Sequence, residues 1–176
     1  MNAANAAPAV WFTRCGAPPS AAERALAQAW IDALGGAPSL RFVADWDEAA
    51  TWLRAHRFAE AHAVREDATR GELRRLAQAL LGEREMLQRL TAATQPLLDP
   101  LREAAAAAAA RAGGDDEGMI RAAAGAAALA EHQRALAALA GAPPAHPFFC
   151  QQRLFAHGRW PLGVFADAGA AVAAIF

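Results

Sequence analysis

Residues 148–176 differ sharply from the alanine-rich segment before them, and this contrast constrains the fold more than any other feature of the chain. Aromatic and β-branched residues are concentrated there in three short runs, at 148–155, 160–165 and 170–176, with turn-forming residues between the runs. Such runs are typical of strands that pack on a core. We therefore predict a β-meander over 148–176 that belongs to a sheet.

Two further strands are predicted near the beginning of the chain. The runs 10–15 and 40–44 are again rich in aromatic and β-branched residues. Between them, Ser20 precedes Glu23 by three residues, the spacing at which the serine hydroxyl and the glutamate carboxylate each accept from the other's backbone N–H at a helix start. The opening of the chain therefore reads as β-α-β-α.

The middle of the chain, residues 69–141, reads as a helical hairpin or a small bundle. Thr69 and Glu72 have the spacing of a second capping box, and Pro96 and Pro100 interrupt the helical pattern because proline lacks the amide proton. Leucines follow at spacings of three, four and seven, which places them on one stripe that we expect to be buried. They are Leu73, Leu76, Leu80, Leu87 and Leu90.

The length of 176 residues suits one domain. We predict an α+β fold in which a small, mainly antiparallel sheet packs on the central helices. Residues 1–9 have the composition of a flexible arm and lack the basic and apolar regions of an export signal. No run is apolar enough to span a bilayer, so we expect no membrane association and a cytoplasmic location.

Charge and motif content exclude several classes of function. The net charge is -1, and the arginines are scattered among carboxylates, so we expect no binding to nucleic acid. The sequence lacks GxGxxG, GxxxxGK[ST] and GxSxG. The histidines lack the spacing of zinc ligands, and the pair His146 and Cys150 is better explained as the entry to a strand. We predict neither a metal nor a cofactor.

Cys15 is the main candidate for catalysis, because it follows a predicted strand at a place where free backbone amides would favour the thiolate. His62 would supply a base and Arg70 an anion clamp. The run from Trp11 to Cys15, with Pro18 after it, resembles the opening of sulfonate-binding proteins and the related desulfinases, whose cysteine at this place is the nucleophile. This chain is much shorter than those proteins and lacks their glycines between His62 and Arg70. A cysteine-dependent enzyme that acts on an anionic substrate is thus the alternative hypothesis, beside a cysteine that is simply buried.

An acidic segment with an aromatic residue is the main candidate for partner binding. Trp46 lies beside Asp47 and Glu48, and an aromatic anchor with an acidic rim suits a basic partner. Trp46 also fits a place in the core. Glu60, Glu66 and Asp67, farther along the sequence, are predicted to bind the same partner.

Residues 158–165, Gly-Arg-Trp-Pro-Leu-Gly-Val-Phe, are followed by a turn and an apolar strand. This segment resembles the closing hairpin of small bacterial immunity-type proteins, including those that protect against contact-dependent growth-inhibition toxins. The resemblance implies a cytoplasmic protein without catalysis that binds and blocks one toxin. We therefore predict a non-catalytic binding module with one protein partner, most concretely a basic toxin domain, and leave the oligomeric state open.

Overall fold

A computed structural model describes residues 10–176, so the predicted arm at 1–9 lies outside the described part. This part forms seven α-helices and a four-stranded sheet, which confirms the α+β class. The helices are α1 Ala21–Leu34, α2 Trp46–Ala55, α3 Glu60–Leu81, α4 Glu83–Thr94, α5 Leu98–Arg111, α6 Glu117–Leu139 and α7 Pro147–Ala156. The strands are β1 Ser39–Phe42, β2 Arg57–Phe58, β3 Pro161–Asp167 and β4 Ala170–Ile175. A short 3-10 turn, Gln95–Leu97, joins α4 to α5.

The sheet is mixed, in the order β1-β4-β3-β2. β4 pairs in parallel with β1 and antiparallel with β3, while β2 pairs antiparallel with β3. The β3–β4 hairpin turns at Ala168 and Gly169, whose φ angles of 45° and 84° are both positive, as in a two-residue turn that matches the twist of the strands. β4 therefore lies inside the sheet, between the first strand and the hairpin partner.

The first run of the predicted meander, 148–155, is helical and the strand prediction there is wrong. α7 begins where the His146 Nδ1 atom accepts from the N–H of Phe148 at 3.2 Å, with Pro147 at the first helical position. Proline suits this position because the N–H it lacks would have no partner in the helix. Phe148 and Phe155 are buried in different clusters, so the aromatic content reflects burial on several sides of a helix.

Residues 10–15 do not form the predicted strand either, and β1 is the first strand that the structure describes. The φ of Phe12 is 64°, outside the β region. The N–H groups of Thr13 and Cys15 each donate to a carbonyl three residues earlier, at 3.3 Å. Trp11 and Phe12 are buried, which accounts for the aromatic composition without a strand.

The two predicted capping boxes have opposite outcomes. At α1, the hydroxyl of Ser20 accepts from the N–H of Glu23 at 3.2 Å, and the Glu23 carboxylate accepts from the N–H of Ser20 at 2.6 Å, which confirms the prediction. The start predicted at Thr69 is wrong, because α3 begins at Glu60 and the Thr69 hydroxyl donates to the Arg65 carbonyl inside the helix at 2.8 Å.

The predicted leucine stripe is only partly buried. α3 ends at Leu81, and Gly82, with a φ of 79°, separates it from α4, so the leucines lie on two helices instead of one. Leu73 and Leu90 are buried, but Leu80 is 68% exposed, and Leu76 and Leu87 are exposed as well.

The core occupies both faces of β4. Val172, Ala174 and Phe176 belong to a large cluster with α2, α5 and α6, whereas Ala173 and Ile175 belong to a second cluster with α1 and α7. This alternation follows from the two-residue period of a strand. A third cluster joins α3, α4 and α6. Within the described ranges, no helix has the length and apolar character needed to cross a membrane.

Candidate functional site

A groove, which we call the α3 groove, lies where α3 faces α1, α6, α7 and β3 and has a volume of about 380 Å³. Its walls are mainly apolar, and Phe58 and Leu129 on them are 58% and 46% exposed. Binding pockets in proteins commonly combine apolar walls with a few polar groups. The other apolar side chains that line the groove include Trp30, Leu34, Phe148, Leu162 and Val164.

Three of the predicted site residues form an ion-pair network on the α3 side of the groove. Arg70 donates to the carboxylates of Glu66 at 2.9 Å and Asp67 at 3.0 Å. Glu66 also accepts from the Nε2 atom of Gln133 at 2.6 Å, a residue of α6 that is 1% exposed. This network ties α3 to α6 and uses the guanidinium that was predicted to clamp an anion.

His62 lines the same groove near the end of α1. Burial, and secondarily the charge of Arg65, lower the pKa of His62 below its ordinary value, so the imidazole is neutral at pH 7. Arg65 donates to the Leu34 carbonyl at 2.9 Å. A cation at the carbonyl end of a helix is favourable, so Arg65 fastens α3 to α1.

A second cavity, which we call the Cys15 cavity, has a volume of about 400 Å³. It lies between the turn that contains Cys15, the beginning of α2 and the end of α5, and is lined by Trp46, Asp47 and Arg111 among others. Cys15 therefore lines one cavity, while His62 and Arg70 line the other. The structure does not bring the three predicted catalytic residues to one site.

The Cys15 thiol is held in its protonated form. Its Sγ atom lies 3.5 Å from the carbonyl oxygen of Phe176 and 3.8 Å from that of Gly158, and can donate to both. Burial raises the pKa of Cys15 to about 12, although Arg159, a backbone amide of Trp160 and Arg111 oppose the shift. Because the thiolate is the nucleophile, this environment disfavours attack by Cys15 at neutral pH.

Trp46 is 5% exposed, and its burial does not fit the exposed aromatic anchor that we predicted. The Trp46 ring packs on two others: its centroid lies 6.0 Å from that of Trp160 and 5.7 Å from that of Phe176. Glu48 is also engaged, since it accepts from Arg41 at 2.6 Å and from the N–H of Ala44 at 2.8 Å. The bonds from Ala44 and Arg41 lower the pKa of Glu48.

The remaining predicted acids, Asp47 and Glu60, are exposed at the starts of α2 and α3. His146 caps α7, and the Cys150 Sγ lies 3.7 Å from the Ala145 carbonyl, so this pair has a structural role. In residues 10–176, no group of three or more His, Cys, Asp or Glu side chains is placed to hold a metal ion.

Three residues that line the two cavities were not predicted as site residues: Phe58, Leu129 and Arg111. Phe58 and Leu129 are single apolar residues that belong to none of the runs or motifs recognised in the sequence. Arg111 offered a usable signal, because it is the basic residue in the last turn of a helix that ends at two glycines.

Comparison with known protein families, curated proteins and solved structures finds no match to this chain. The two cavities and their chemistry are therefore the basis for a functional assignment.

Proposed function

We propose that the protein is a non-catalytic binding protein whose α3 groove receives apolar side chains of one protein partner. The observation that carries this proposal is the exposure of Phe58 and Leu129 on an apolar groove. Large exposed apolar side chains beside a concave surface are typical of interaction sites. An anchor that fills such a groove supplies most of the binding energy, while polar groups at the rim contribute selectivity.

Charge at the groove favours a basic partner only through Glu60, because the charged side chains of the lining balance. Asp67 is exposed and lies on the groove, and Glu60 is exposed at the start of the same helix, α3. Arg65 and Arg70 both line the groove and offset Glu66 and Asp67, and Arg70 pairs with both carboxylates. Complementary rim charges act mainly on the rate of association.

Neutralisation of a toxin in the bacterial cytoplasm is the most concrete form of this function. The segment that resembles the closing hairpin of immunity-type proteins, 158–165, includes Pro161 and Val164, which line the α3 groove. The resemblance and the groove thus concern the same part of the molecule. A toxin domain is therefore the partner that we propose.

The enzyme hypothesis has less support. A cysteine nucleophile needs a lowered pKa or an adjacent base, whereas the pKa of Cys15 is raised to about 12. His62 and Arg70 line the α3 groove and not the Cys15 cavity. We therefore propose no catalytic step.

Two leucine substitutions test the groove. Leu129→Arg places a charge on the groove, and Leu80→Arg places the same charge on an exposed leucine of α3 that does not line it. The ligand is the product of the gene adjacent to the one that encodes this chain, because immunity proteins are encoded beside their toxins. By titration calorimetry, we expect Leu129→Arg to weaken binding by about 30-fold, the effect of losing a central contact, and Leu80→Arg to leave it unchanged.

Equal affinity of the two variants would refute the groove as the docking surface. The same variants then serve in a growth assay with the adjacent gene product expressed in the cytoplasm. The wild-type chain and Leu80→Arg should permit growth, and Leu129→Arg should not. If the adjacent product is harmless or does not bind, the toxin-neutralising form of the proposal fails.

A further inference from the structure

The outer edge of β3 is only partly covered by β2. β2 is two residues long and pairs with β3 at Phe165 and Ala166. Along 161–163, β3 therefore has no neighbouring strand on this side in the described part of the sheet. These three residues, and Val164 after them, line the α3 groove. The groove thus runs along an open sheet edge, where backbone groups are free to pair with an added strand.

The N–H of Val164 lacks the partner that a regular ladder would give it. The Val164 carbonyl accepts from the N–H of Ala59 at 2.9 Å, so the backbone groups of Val164 face β2 and not β4. In a regular ladder the Ala59 carbonyl would accept from the Val164 N–H. Instead it accepts from His62 and Ala63 in the first turn of α3, at 3.0 Å each. Within residues 10–176, the Val164 N–H donates neither to Ala59 nor to a side chain.

This donor needs an acceptor from outside the described residues. Val164 is 8% exposed, and a buried backbone N–H without a partner is unfavourable. A segment placed beside β3, where β2 would have continued if the chain had not turned into α3, brings a backbone carbonyl to this N–H.

The groove has apolar walls on both faces of the open edge. Val164 packs in the cluster of α1 and α7, and Trp30 of that cluster lines the groove. Leu162 packs in the cluster of α5 and α6, and Leu129 of α6 lines the groove. Successive side chains of a strand point to opposite faces. Two adjacent apolar residues of an added strand would therefore contact both walls at once.

We infer that the partner occupies the α3 groove as an extended segment that adds a strand to the open edge of β3. One of its backbone carbonyls accepts from the Val164 N–H, and two adjacent apolar side chains lie on the two walls. In strand addition, main-chain hydrogen bonds supply affinity and side-chain pockets supply selectivity. This inference rests on the proposed function, because it states how a partner segment lies in the same groove.

Random heptapeptides displayed on phage are the first probe. They are selected on the full wild-type chain in the presence of excess soluble Leu129→Arg chain, which removes peptides that bind outside the groove. We expect the enriched peptides to share two adjacent apolar residues. Failure to enrich any peptide, or enrichment of peptides without such a pair, overturns the inference.

A backbone substitution then tests the hydrogen bond with the most enriched peptide. Replacement of Val164 by its α-hydroxy analogue exchanges the N–H for an ester oxygen and keeps the side chain. The same replacement at Val172 is the matched control, because Val172 pairs with Phe165 inside the β3–β4 ladder and does not line the groove. By calorimetry, the change at Val164 should weaken peptide binding by about tenfold, and the change at Val172 should not alter it. In urea, the change at Val172 should lower the unfolding midpoint more, since it removes a ladder bond. Equal affinity of the wild type and the Val164 analogue overturns the inference.

Hydrogen exchange tests the same bond without any substitution. In the wild-type chain with isotope-labelled valine, the Val164 amide should exchange at least about tenfold more slowly when the peptide is bound, and an unchanged rate overturns the inference. The product of the adjacent gene separates this inference from the proposed function. If that product binds with sensitivity to Leu129→Arg but not to the change at Val164, the proposed function stands and strand addition fails. If the peptides meet every expectation and the adjacent product does not bind, strand addition stands and the toxin-neutralising form fails.

Discussion

Glu23 and Arg159 form an ion pair that is almost completely removed from water. The Arg159 Nε atom donates to the Glu23 carboxylate at 2.9 Å, and Arg14 and the N–H of Ser20 donate to the same group. Burial alone would raise the pKa of Glu23, but the bonds from Arg159, Ser20 and Arg14 outweigh it and hold the pKa well below its usual range. The pair joins the start of α1 to the segment before β3.

Replacement of Glu23 tests this pair through the pH dependence of stability. The folded pKa is depressed, so the contribution is present above the unfolded pKa of about 4.3 and is lost as the pH falls toward the folded pKa. Glu23→Gln should lower the free energy of unfolding by about 3–5 kcal/mol at pH 7, because it leaves Arg159 buried without a counter-charge. Urea denaturation at pH 7 and at pH 3 measures both effects.

The difference in stability between wild type and Glu23→Gln should shrink at pH 3. Glu72→Gln removes an exposed carboxylate that pairs with Arg75 and should leave the free energy of unfolding close to that of the wild type at either pH, because solvent screens an exposed pair. A Glu23→Gln deficit of the same size at both pH values would contradict the assigned role of this carboxylate.

Single residues show why the candidate sites were only partly predictable. The sequence identifies Cys15 and Trp46 as chemically versatile side chains, but it does not show that both are enclosed by segments far away in the chain, including Trp160 and Phe176. Burial changes the chemistry of each, since it keeps the thiol protonated and removes the indole from the surface. Phe58 and Leu129 are ordinary apolar residues whose exposure is decided by tertiary packing.

Helices and strands were predictable where local chemistry decides their bounds. The capping box at Ser20 depends on neighbouring residues, and its prediction is confirmed. A turn was also predicted between the runs 160–165 and 170–176, and it forms at Ala168 and Gly169. The run 148–155 was misassigned because aromatic content does not separate a strand from a helix that is buried on several sides. The signal that would have corrected it is His146-Pro147, a cap followed by proline at the first helical position.

Two glycine-to-alanine substitutions test the β3–β4 turn and α6, and they should change the free energy of unfolding in opposite directions. Gly169 lies in the β3–β4 turn with a φ of 84°, and Gly125 lies within α6 without a positive φ and with open space where an added methyl group would lie. Gly169→Ala should lower the free energy of unfolding by about 1–2 kcal/mol, because an L-residue is strained there. Gly125→Ala should raise it by about 0.5–1 kcal/mol, since alanine favours a helix.

Thermal unfolding monitored by circular dichroism gives the two values under identical conditions. The pair serves as its own control, because each variant adds one methyl group. Stabilisation by Gly169→Ala would show that the hairpin does not turn at this glycine.

The whole molecule depends on one long-range pairing that the sequence did not reveal. β1 pairs in parallel with β4, with Ser39 opposite Val172 and Phe42 opposite Ile175. The α+β class and the closing hairpin follow from local patterns, whereas the register between distant strands follows from the packing of both faces at once. Helices lie on both faces of β4, so the strand connects the two largest clusters of the core.

Substitutions on opposite faces of β4 test whether the two sides unfold together. Ile175 packs with α1 and α7, and Phe176 packs with α2, α5 and α6. Ile175→Ala and Phe176→Ala should each lower the free energy of unfolding by about 2–5 kcal/mol. In native-state hydrogen exchange, the slowest amides of α1 and of α5 should then exchange faster by the same factor, about 30- to 4000-fold. Leu80→Ala changes an exposed leucine. It should change the free energies of opening measured by exchange by less than about 0.5 kcal/mol. Loss of protection confined to one face in either variant would mean that the clusters unfold independently and that β4 does not unite them.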